Sequence, residues 1–456
     1  MENKRKVKLS KGGKPGLAYG LFKLHVRLVH NLTYYRNIHY AGRENIPQNC
    51  PLVIVSNHQN SLNDALGLLF ASSSRGKRKI RAITRADAFE IPVLGFIMHG
   101  LGLLPAFRLS YGVESLSHNT HAFDEASDEL LLDGTIIIYP ESGHQDRRWL
   151  GPFTYGYLRM AFEAAEKSGF EKEIFILPAC NHYSDYFNPR EDILIKFGKP
   201  LSLAPYYERY RQTPRTVQRE LNGIIRRKVS ELMLDIRDSD NYDTIDFIRN
   251  SYGRKYAEER GLNPANLADR LISDKRLVEH LAATADRDAL TTVYADAAEL
   301  NLRLRQLKIS DDLFDERPSA LRVYGTALLL VVLLPAQLLA LVANGLVFGL
   351  PRLVNRRIDD VMLHASFKIA LPILVAVPLT NLIVFFTLMA TAKSLLVTAA
   401  SMLSLPFLYI FAVGFDKIRN KCISRARFLK LSKRGKLSET VNLRTKVLKG
   451  LDDLLK

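Results

Sequence analysis

Residues 52–64, LVIVSNHQNSLND, decide the fold of this chain. The stretch begins with four apolar residues, mostly β-branched, which predict a buried strand. It continues with Ser-Asn-His at 56–58, a combination that favours turns and helix caps, and residues 65–70 predict a helix. His58 and Asp64 therefore lie in the segment that connects a predicted strand to a predicted helix. Loops that a rigid sheet holds at such a position often carry the chemistry of α/β proteins.

The spacing of His58 and Asp64 leaves two interpretations open. In the first, the side chains meet: a neutral imidazole can take a proton from a hydroxyl, and a carboxylate can fix its tautomer and stabilise the imidazolium. Six positions amount to about 600° on a continuous helix, which separates the pair, so a contact requires a non-helical turn within 60–63. In the second, His58 caps the helix and Asp64 is a solvated acid of its first turn.

The size, charge and cysteine content of the chain limit the classes of protein to which it can belong. With 456 residues, it is too long for one typical domain, and two or three domains are expected. Its net charge of +17 favours anionic partners, which are nucleic acid, anionic lipid or phosphorylated substrates. Three widely spaced cysteines, Cys50, Cys180 and Cys422, indicate a reducing compartment and neither a disulfide framework nor a zinc site. No apolar segment follows the basic first residues at signal-peptide distance, so no cleaved signal is expected.

Residues 1–40 and 41–204 form the first two predicted units. The first is a basic arm with an amphipathic helix over 17–36, which suits either a membrane interface or the surface of a domain. In the second, short apolar runs alternate with helical stretches, which predicts an α/β domain with a largely buried sheet. The predicted strands are 52–55, 80–84, 103–107, 135–139, 174–179 and 193–197, and the predicted helices include 64–71, 116–132 and 155–167.

Three further units are predicted: a charged helical extension over 205–318, membrane-embedded segments over 319–416 and a basic tail over 417–456. The extension carries no catalytic signature, so structural packing is its default role, and a lid, a spacer or a substrate ruler are the alternatives. The basic tail suits anionic lipid head groups. Nucleic acid is the competing partner, but the tail lacks the aromatic interleaving that such binding favours.

Three stretches without charge, 325–350, 369–392 and 395–415, predict an integral membrane protein. Each is long enough to cross a bilayer, which needs about 20 apolar residues. Arginines follow the first stretch and the basic tail follows the third. The positive-inside rule then favours a first segment that turns back near Pro335, a spanning hairpin with its tip near Lys393, and a catalytic domain that faces the cytoplasm.

Three other apolar runs end in polar or proline-containing turns. GLLPAFR at 102–108 ends at the cation Arg108, and GTIIIYPESGH at 134–144 contains a Pro-Glu-Ser-Gly turn after its apolar run. Residues 176–179, Ile-Leu-Pro-Ala, are expected to form an apolar wall. Four strand ends can thus surround one crevice. The side chains that they would bring there are His58, Asp64, Arg108 and Glu141.

The order and spacing of these blocks resemble the glycerolipid acyltransferase family, which includes the glycerol-3-phosphate and 1-acylglycerol-3-phosphate acyltransferases. The resemblance covers residues 40–204. Four residues usually separate the family's His and Asp; here five do, which is similar to a branch that acylates glycerol-3-phosphate or dihydroxyacetone phosphate. Ser142 replaces a usual glycine, which makes that turn less permissive. The matching residues are Asn57, His58 and Asp64 in the first block, Pro105 and Arg108 in the second, Tyr139, Pro140, Glu141 and Gly143 in the third, and Ile176, Leu177 and Pro178 in the fourth.

The resemblance implies a fold and a function. The fold is an α/β, acyltransferase-type mixed sheet flanked by helices, which the helical extension and C-terminal transmembrane helices would follow. The function is a membrane-bound O-acyltransferase of phospholipid biosynthesis that moves a fatty acyl group from acyl-CoA or acyl carrier protein to glycerol-3-phosphate or 1-acylglycerol-3-phosphate. Membrane lipid is an expected partner; nucleic acid, a cofactor and a metal are not expected. Acylation of another lipid acceptor and a catalytically idle, membrane-anchored lipid-binding protein are the alternatives.

The resemblance also implies roles for single residues. His58 would be the general base, with Asp64 orienting its imidazole, and backbone donors after Asn60 would stabilise the oxyanion. Arg108 suits a bidentate grip on the acceptor phosphate. Apart from the resemblance, Arg147 and Arg148 could add phosphate contacts, although surface charge is the more common role, and His182 is expected to be structural because it has no pairing signature. The implied substrate-binding residues are Asn57, Arg108, Glu141, Ser142, Gly143 and Pro178.

Overall fold

A mixed sheet forms the centre of the N-terminal half of the molecule. The computed structural model describes residues 17–73, 80–85, 89, 98, 102–106, 115–141 and 147–455. Within these residues, eight strands join in the order β1-β7-β6-β2-β5-β3-β4, with β8 paired to β6. The strands are β1 Tyr35–Ala41, β2 Leu52–Ser56, β3 Ile80–Arg85, β4 Leu104–Ala106, β5 Thr135–Ile138, β6 Phe175–Tyr183, β7 Glu191–Phe197 and β8 Leu201–Ser202.

Strand β2 lies in the middle of this sheet and is parallel to both of its neighbours, β5 and β6. All five of its residues are buried. Val53 and Val55 face one apolar cluster, and Leu52 and Ile54 face another on the opposite side of the sheet. A strand that is covered on both faces needs a continuous apolar run, which explains why the pattern does not alternate. The carboxyl ends of β2, β5 and β6 therefore meet at one edge, where the candidate site lies.

The predicted mixed sheet flanked by helices is confirmed, with two differences. The amphipathic helix predicted over 17–36 ends at Leu28, and a short π-helix leads from it into β1, the edge strand that pairs in parallel with β7. The sequence signal for β1 is weak because an edge strand presents polar residues to solvent. Strand β6 also continues to Tyr183, beyond its predicted end at residue 179.

Sixteen described helices surround or follow the sheet. The first four flank the sheet or precede it, the next six build the helical extension, and the last six include the apolar segments and the C-terminus. Their bounds are α1 Leu17–Leu28, α2 Leu62–Ser73, α3 Ser115–Leu131, α4 Gly156–Lys167, α5 Tyr207–Gln212, α6 Pro214–Leu232, α7 Tyr242–Glu258, α8 Leu267–Ala283, α9 Arg287–Leu307, α10 Asp312–Glu316, α11 Ala320–Ala343, α12 Gly345–Asn355, α13 Val361–Leu371, α14 Val377–Thr391, α15 Leu395–Lys433 and α16 Ser438–Leu454.

The helical extension packs directly on the sheet domain. Helix α6 buries Val217, Leu221 and Ile225, which recur every four residues, in the same apolar cluster as β2. Helices α7 to α9 form a third apolar cluster, which Val447 and Leu451 of α16 complete. The segment predicted as a basic tail thus folds back onto the extension. The predicted boundary at 416/417 falls inside α15, which is continuous there.

Within the described part of the chain, three helices are long and apolar enough to cross a membrane: Ala320–Ala343, Leu363–Thr391 and Leu395–Lys433. The turn predicted at Pro335 is wrong, because α11 continues through this proline. The chain reverses instead at Asn344, whose side chain donates to the carbonyl of Leu405 on α15 at 3.4 Å. Phe348 then stacks on Tyr409, so α12 runs back along α15.

The second and third apolar helices form a hairpin whose turn is at the predicted position. Lys393 has a left-handed φ of 50°, and Ser394 caps α15 by accepting the N–H of Val397. The other end of this hairpin lies on the sheet domain. There Ser366 of α13 accepts the N–H of Leu62, the first residue of α2, at 3.1 Å. The apolar helices therefore contact the helix that carries Asp64.

Candidate active site

A non-helical turn brings His58 and Asp64 together. Strand β2 ends at Ser56 and α2 begins at Leu62, and between them Ser61 adopts a left-handed φ of 45°. The Nδ1 atom of His58 lies 3.0 Å from Oδ2 of Asp64. The interpretation of Asp64 as a solvated first-turn acid is wrong, since its exposed fraction is 0%. The side chain of His58 keeps 18% of its surface exposed, so it is the member of the pair that a substrate can reach.

The carboxylate of Asp64 is held by four hydrogen-bond partners. Besides His58, its Oδ2 accepts the backbone N–H groups of Gln59 at 2.9 Å and Asn60 at 2.7 Å. Its Oδ1 accepts the hydroxyl of Tyr183 at 2.7 Å. A buried carboxylate requires such compensation, and four donors keep it fixed. With Nδ1–H of His58 donated to Asp64, the lone pair of the imidazole is on Nε2.

Tyr183 is a site residue that the sequence did not reveal. It belongs to the part of β6 that extends beyond the predicted strand, and it is fully buried. The only available signal was the alternation of residues 179, 181 and 183 along one face of the strand. Because the bond to Asp64 joins residues 119 positions apart, no local pattern could assign it.

Replacing Tyr183 by phenylalanine is expected to weaken the site without dismantling it. The substitution removes one of the four donors to Asp64, so we expect the free energy of unfolding to fall by about 1–3 kcal/mol and kcat to fall roughly tenfold. Chemical denaturation and steady-state kinetics measure both. The matched control is Tyr252→Phe, because the hydroxyl of Tyr252 in the extension also donates to a carboxylate, that of Asp452 in α16. An equal loss of kcat in both variants would contradict a role at the site.

Glu141 holds the backbone of the turn that contains His58. Its Oε1 accepts the N–H of His58 at 2.7 Å, and its Oε2 accepts the N–H of Gly151 at 2.8 Å. Burial raises the pKa of the Glu141 carboxyl to about 7, and the N–H groups of Gly151 and His58 only partly offset this increase. The predicted role of Glu141 in acceptor binding stays a prediction, whereas the observed contacts are positional.

Tyr139 fixes the plane of the imidazole. Its ring stacks on that of His58 with 4.4 Å between centroids and an interplanar angle of 22°. Asp64 sets the position of Nδ1, and the stack limits rotation about the remaining side-chain torsion. The ring of His58 is therefore oriented by two contacts, one polar and one aromatic.

Of the other predicted substrate-binding residues, Asn57 and Pro178 are described and both are buried in the sheet. The side chain of Asn57 accepts the N–H of Asn181 at 2.9 Å and donates to its carbonyl at 3.0 Å, so Asn57 ties the end of β2 to β6. Pro178 pairs with Val55. Their assignment to substrate binding stays a prediction. The candidates outside the described residues are Arg108, Ser142 and Gly143.

The helix N-terminus does not offer all the oxyanion donors that were expected after Asn60. The N–H of Leu62 donates to Ser366, and that of Asn63 donates to the carbonyl of Asn60 at 3.0 Å. Asn60 itself donates to Asp64. These three groups are used inside the protein, so they are not oriented toward a substrate.

The two arginines beyond Glu141 differ from each other. Arg147 is exposed, as expected, but Arg148 is buried and donates to the carbonyl of Tyr183 at 3.3 Å. His182 is also buried, and burial holds its pKa well below the usual range, as expected of a structural histidine. Among the described residues, no group of three or more His, Cys, Asp and Glu side chains could hold a metal ion. The expectation that no metal or cofactor is required stays a prediction.

These features define a class of site. A histidine oriented by a buried carboxylate, at the carboxyl edge of a mixed α/β sheet, is suited to removing a proton from a substrate hydroxyl. Asp64 is fixed by four partners and His58 by three contacts, so the arrangement is preorganised. The fold and site are therefore suited to group transfer with a general base.

Comparison with known proteins identifies the family. Residues 37–181 match the family model described as Acyltransferase. The chain is 27% identical over 128 residues to glycerol-3-phosphate O-acyltransferase 2 of Saccharomyces cerevisiae, which is 28% of this chain and 17% of that protein. It is 27% identical over 136 residues to the chloroplastic 1-acyl-sn-glycerol-3-phosphate acyltransferase LPAT1 of Arabidopsis thaliana, which is 30% of this chain and 34% of the relative. The domain over residues 37–181 therefore belongs to the acyltransferase family.

The extent of these similarities is limited. The chain spans about one sixth and one third of the length of these two relatives. The solved 1-acyl-sn-glycerophosphate acyltransferase PlsC from Thermotoga maritima is 17% identical and aligns over 47% of this chain and 78% of that chain, with a TM-score of 0.33. The helical extension and the apolar helices lie outside the family match.

Proposed function

We propose that this chain is a membrane-bound O-acyltransferase that moves a fatty acyl group from acyl-CoA or acyl carrier protein to glycerol-3-phosphate or 1-acylglycerol-3-phosphate. The observation that carries the proposal is the 3.0 Å contact between His58 Nδ1 and the fully buried Asp64. A protein that only binds lipid needs no oriented general base. The chain is similar to one relative named for glycerol-3-phosphate and to another named for 1-acylglycerol-3-phosphate, which supports a phosphorylated glycerol as the acceptor.

The proposed mechanism is direct transfer between the two substrates. Nε2 of His58 takes the proton of the acceptor hydroxyl while the hydroxyl oxygen attacks the carbonyl carbon of the acyl thioester. The tetrahedral intermediate collapses with cleavage of the C–S bond, and the thiolate receives the proton from His58. The products are an ester and a free thiol. Asp64 stabilises the imidazolium that exists between the two proton transfers.

The acceptor phosphate and the acyl chain call for different surroundings. We propose Arg108 for the phosphate, since a guanidinium binds a phosphate through two parallel hydrogen bonds. The acyl chain is apolar, and the apolar hairpin begins beside the site, where Ser366 contacts Leu62. In this proposal Arg108 supplies the cation for the phosphate, and the apolar hairpin supplies the surface for the acyl chain.

The proposal is tested by acyl transfer with the detergent-purified full chain. Labelled acyl-CoA and acyl carrier protein are the donors, and glycerol-3-phosphate, dihydroxyacetone phosphate and lysophosphatidic acid are the acceptors. We expect transfer to a phosphorylated acceptor that is lost in His58→Ala. Transfer to none of the three acceptors would refute the proposal and favour the lipid-binding alternative.

The titration of Glu141 predicts the pH dependence of the reaction. Glu141 must be ionised to accept both N–H groups, and its pKa is about 7. We therefore expect kcat/KM to fall as the pH drops through about 7. In Glu141→Gln this fall should become shallower, with a lower plateau. An unchanged shape of the pH profile would show that Glu141 does not titrate in the catalytic range.

The raised pKa of Glu141 also makes the free energy of unfolding depend on pH, and for stability the protonated form is the favoured one. Between pH 4.5, the ordinary pKa of the carboxyl, and pH 7, the folded protein keeps the proton on Glu141 while the unfolded chain releases it. The stabilisation from this group is therefore complete below about 4.5 and is lost as the pH rises through about 7. The ionised form that the site requires is thus the less stable one.

The proposed membrane topology places the tip of the hairpin and the extension on opposite faces. In a chain whose native cysteines are replaced, Lys393→Cys is expected to react with an impermeant maleimide added to intact cells. Leu302→Cys, on the exposed face of α9, is the control and should react only after permeabilisation. If both positions required permeabilisation, the hairpin would re-enter rather than span the membrane.

A further inference from the structure

The loop from Arg147 to Gly151 connects the helical extension to the catalytic turn. It follows Glu141 in the chain, and it lies between α6 and α7 on one side and the His58 turn on the other. Buried backbone groups must find partners, so the partners of this loop show what holds it. Most of them are side chains of two separate parts of the protein.

On the side of the extension, three side chains bind the loop backbone. The hydroxyl oxygen of Tyr242 accepts the N–H of Arg148 at 2.6 Å, and Oδ1 of Asp235 accepts the N–H of Leu150 at 3.0 Å. Arg226 donates through Nη2 to the carbonyl of Leu150 at 2.7 Å and through Nε to that of Gly151 at 3.0 Å. In addition, the N–H of Ile236 donates to the carbonyl of Arg148 at 2.7 Å.

On the side of the site, two residues bind the same loop. Gly151 donates its N–H to Oε2 of Glu141, whose Oε1 accepts the N–H of His58. The carbonyl of Arg147 accepts from Nε2 of Gln59 at 3.0 Å, and Gln59 is the residue whose N–H binds Asp64. Two hydrogen bonds in series connect the loop to His58 through Glu141. Two contacts in series also connect the loop to Asp64 through Gln59.

The extension is well suited to hold this loop because its own groups are fixed. Asp235 also accepts the hydroxyl of Ser230 at 2.7 Å, and it is bridged by Arg237 at 3.0 Å. The ring of Tyr242 is buried in the apolar cluster of the extension, and its outer face is covered by Arg147 at 4.9 Å. The three side chains that bind the loop all lie beyond residue 181, where the family match ends.

We propose that the helical extension positions the catalytic turn: Tyr242, Asp235 and Arg226 fix the 147–151 loop, and the loop holds Glu141 and Gln59 against the backbone of His58 and beside Asp64. The three are positioning residues, since they act through the loop and not on a substrate. The extension is then part of the active-site architecture and not a separate spacer. The kinetic part of this inference rests on the proposed function, whereas the structural part does not.

The structural part is tested by hydrogen–deuterium exchange on the full-length, detergent-solubilised protein. In Tyr242→Phe the N–H of Arg148 loses its acceptor, so we expect the peptides that contain 147–151 and His58 to exchange roughly tenfold faster than in the wild type. The control is Tyr256→Phe, which removes a buried hydroxyl of the same extension that faces His280. It should leave both peptides unchanged. Equal exchange in Tyr242→Phe and the wild type would overturn the proposal.

The kinetic part uses the same pair of variants. We expect kcat of Tyr242→Phe to fall about tenfold with the KM for the acyl donor changed less than about twofold, because the turn is misplaced while the binding surface remains. The acid limb of the pH profile should move to higher pH, since a less fixed loop weakens the hydrogen bond from the N–H of Gly151 to the ionised form of Glu141. A wild-type kcat and pH profile in Tyr242→Phe would refute the positioning role.

A pair of variants at Asp235 keeps the proposal testable if Tyr242→Phe does not fold. Asp235→Ala removes the acceptor of Leu150, whereas Asp235→Asn keeps an oxygen there and should restore both the exchange protection and kcat. If Asp235→Asn behaved like Asp235→Ala, the effect would come from lost charge and not from the bond to the loop, which would contradict the proposal. If the wild type transfers no acyl group, the proposed function fails while the exchange experiment still decides the positioning of the turn.

Discussion

Replacing His58 by alanine is expected to lower kcat by about 10²–10⁴-fold, which is the contribution typical of a positioned general base. The imidazole is the exposed member of the pair, and Asp64, Tyr139 and Glu141 orient it through its Nδ1, its ring face and its backbone N–H. Acyl transfer to the preferred acceptor, measured at saturating donor, gives the change in kcat directly.

The control for this variant is His280→Ala, which removes a half-buried histidine of the extension. Circular dichroism and thermal unfolding of both variants separate loss of chemistry from loss of fold. The bond from Glu141 to His58 uses the backbone N–H, so it survives the substitution, and the turn should keep its shape. If His58→Ala kept more than about a tenth of wild-type kcat while folded, another group would have to be the base.

The position of the site was predictable because its main signals are local. The buried strand at 52–55, the turn-forming residues after it and the following helix are adjacent in sequence, so they place His58 and Asp64 at the edge of a sheet. Their contact depended on one undetermined feature, the turn before Leu62, which Ser61 provides. The parallel strands β5 and β6 were predicted in the same way, from continuous apolar runs.

The surroundings of the site were not predictable because they are non-local. Tyr183 binds Asp64 from 119 positions away, and Gly151 reaches Glu141 through a loop whose shape is set by the extension. Single-sequence patterns report periodicity and propensity, and neither identifies a partner across the fold. For the same reason, the contacts by which Asn57 and Glu141 hold the backbone of the turn could not be predicted, and their assignment to substrate binding, which the resemblance implies, stays a prediction.

The apolar segments show another limit of sequence patterns. Length and lack of charge indicated three apolar stretches, and the hairpin turn at Lys393 was correctly placed by the only charge between two of them. Pro335 suggested a reversal, yet a proline in an apolar helix can be tolerated with the loss of one hydrogen bond. The reversal occurs at Asn344, where an amide side chain can bind a carbonyl of the neighbouring helix.

Replacing Asp64 by asparagine is expected to lower kcat by about 10²–10³-fold with the fold preserved. Four donors surround this side chain, three at Oδ2 and one at Oδ1. If the amide nitrogen of the asparagine occupied the Oδ2 position, it would face the N–H groups of Gln59 and Asn60. At the Oδ1 position it faces only Tyr183, whose hydroxyl can rotate and accept a hydrogen bond. The second orientation is therefore favoured.

In that orientation the asparagine oxygen still accepts Nδ1–H of His58, so the tautomer of the imidazole is unchanged. What is lost is the negative charge that stabilises the imidazolium formed when the acceptor hydroxyl gives up its proton. The KM for either substrate should change little, because Asp64 is buried and touches neither. Adding Tyr183→Phe to the Asp64→Asn variant tests the orientation: the hydroxyl no longer binds a charged group there, so its removal should lower kcat by less than in the wild type. A kcat for Asp64→Asn within about threefold of the wild type would show that the charge is not used, and His58 would then act without electrostatic support from its partner.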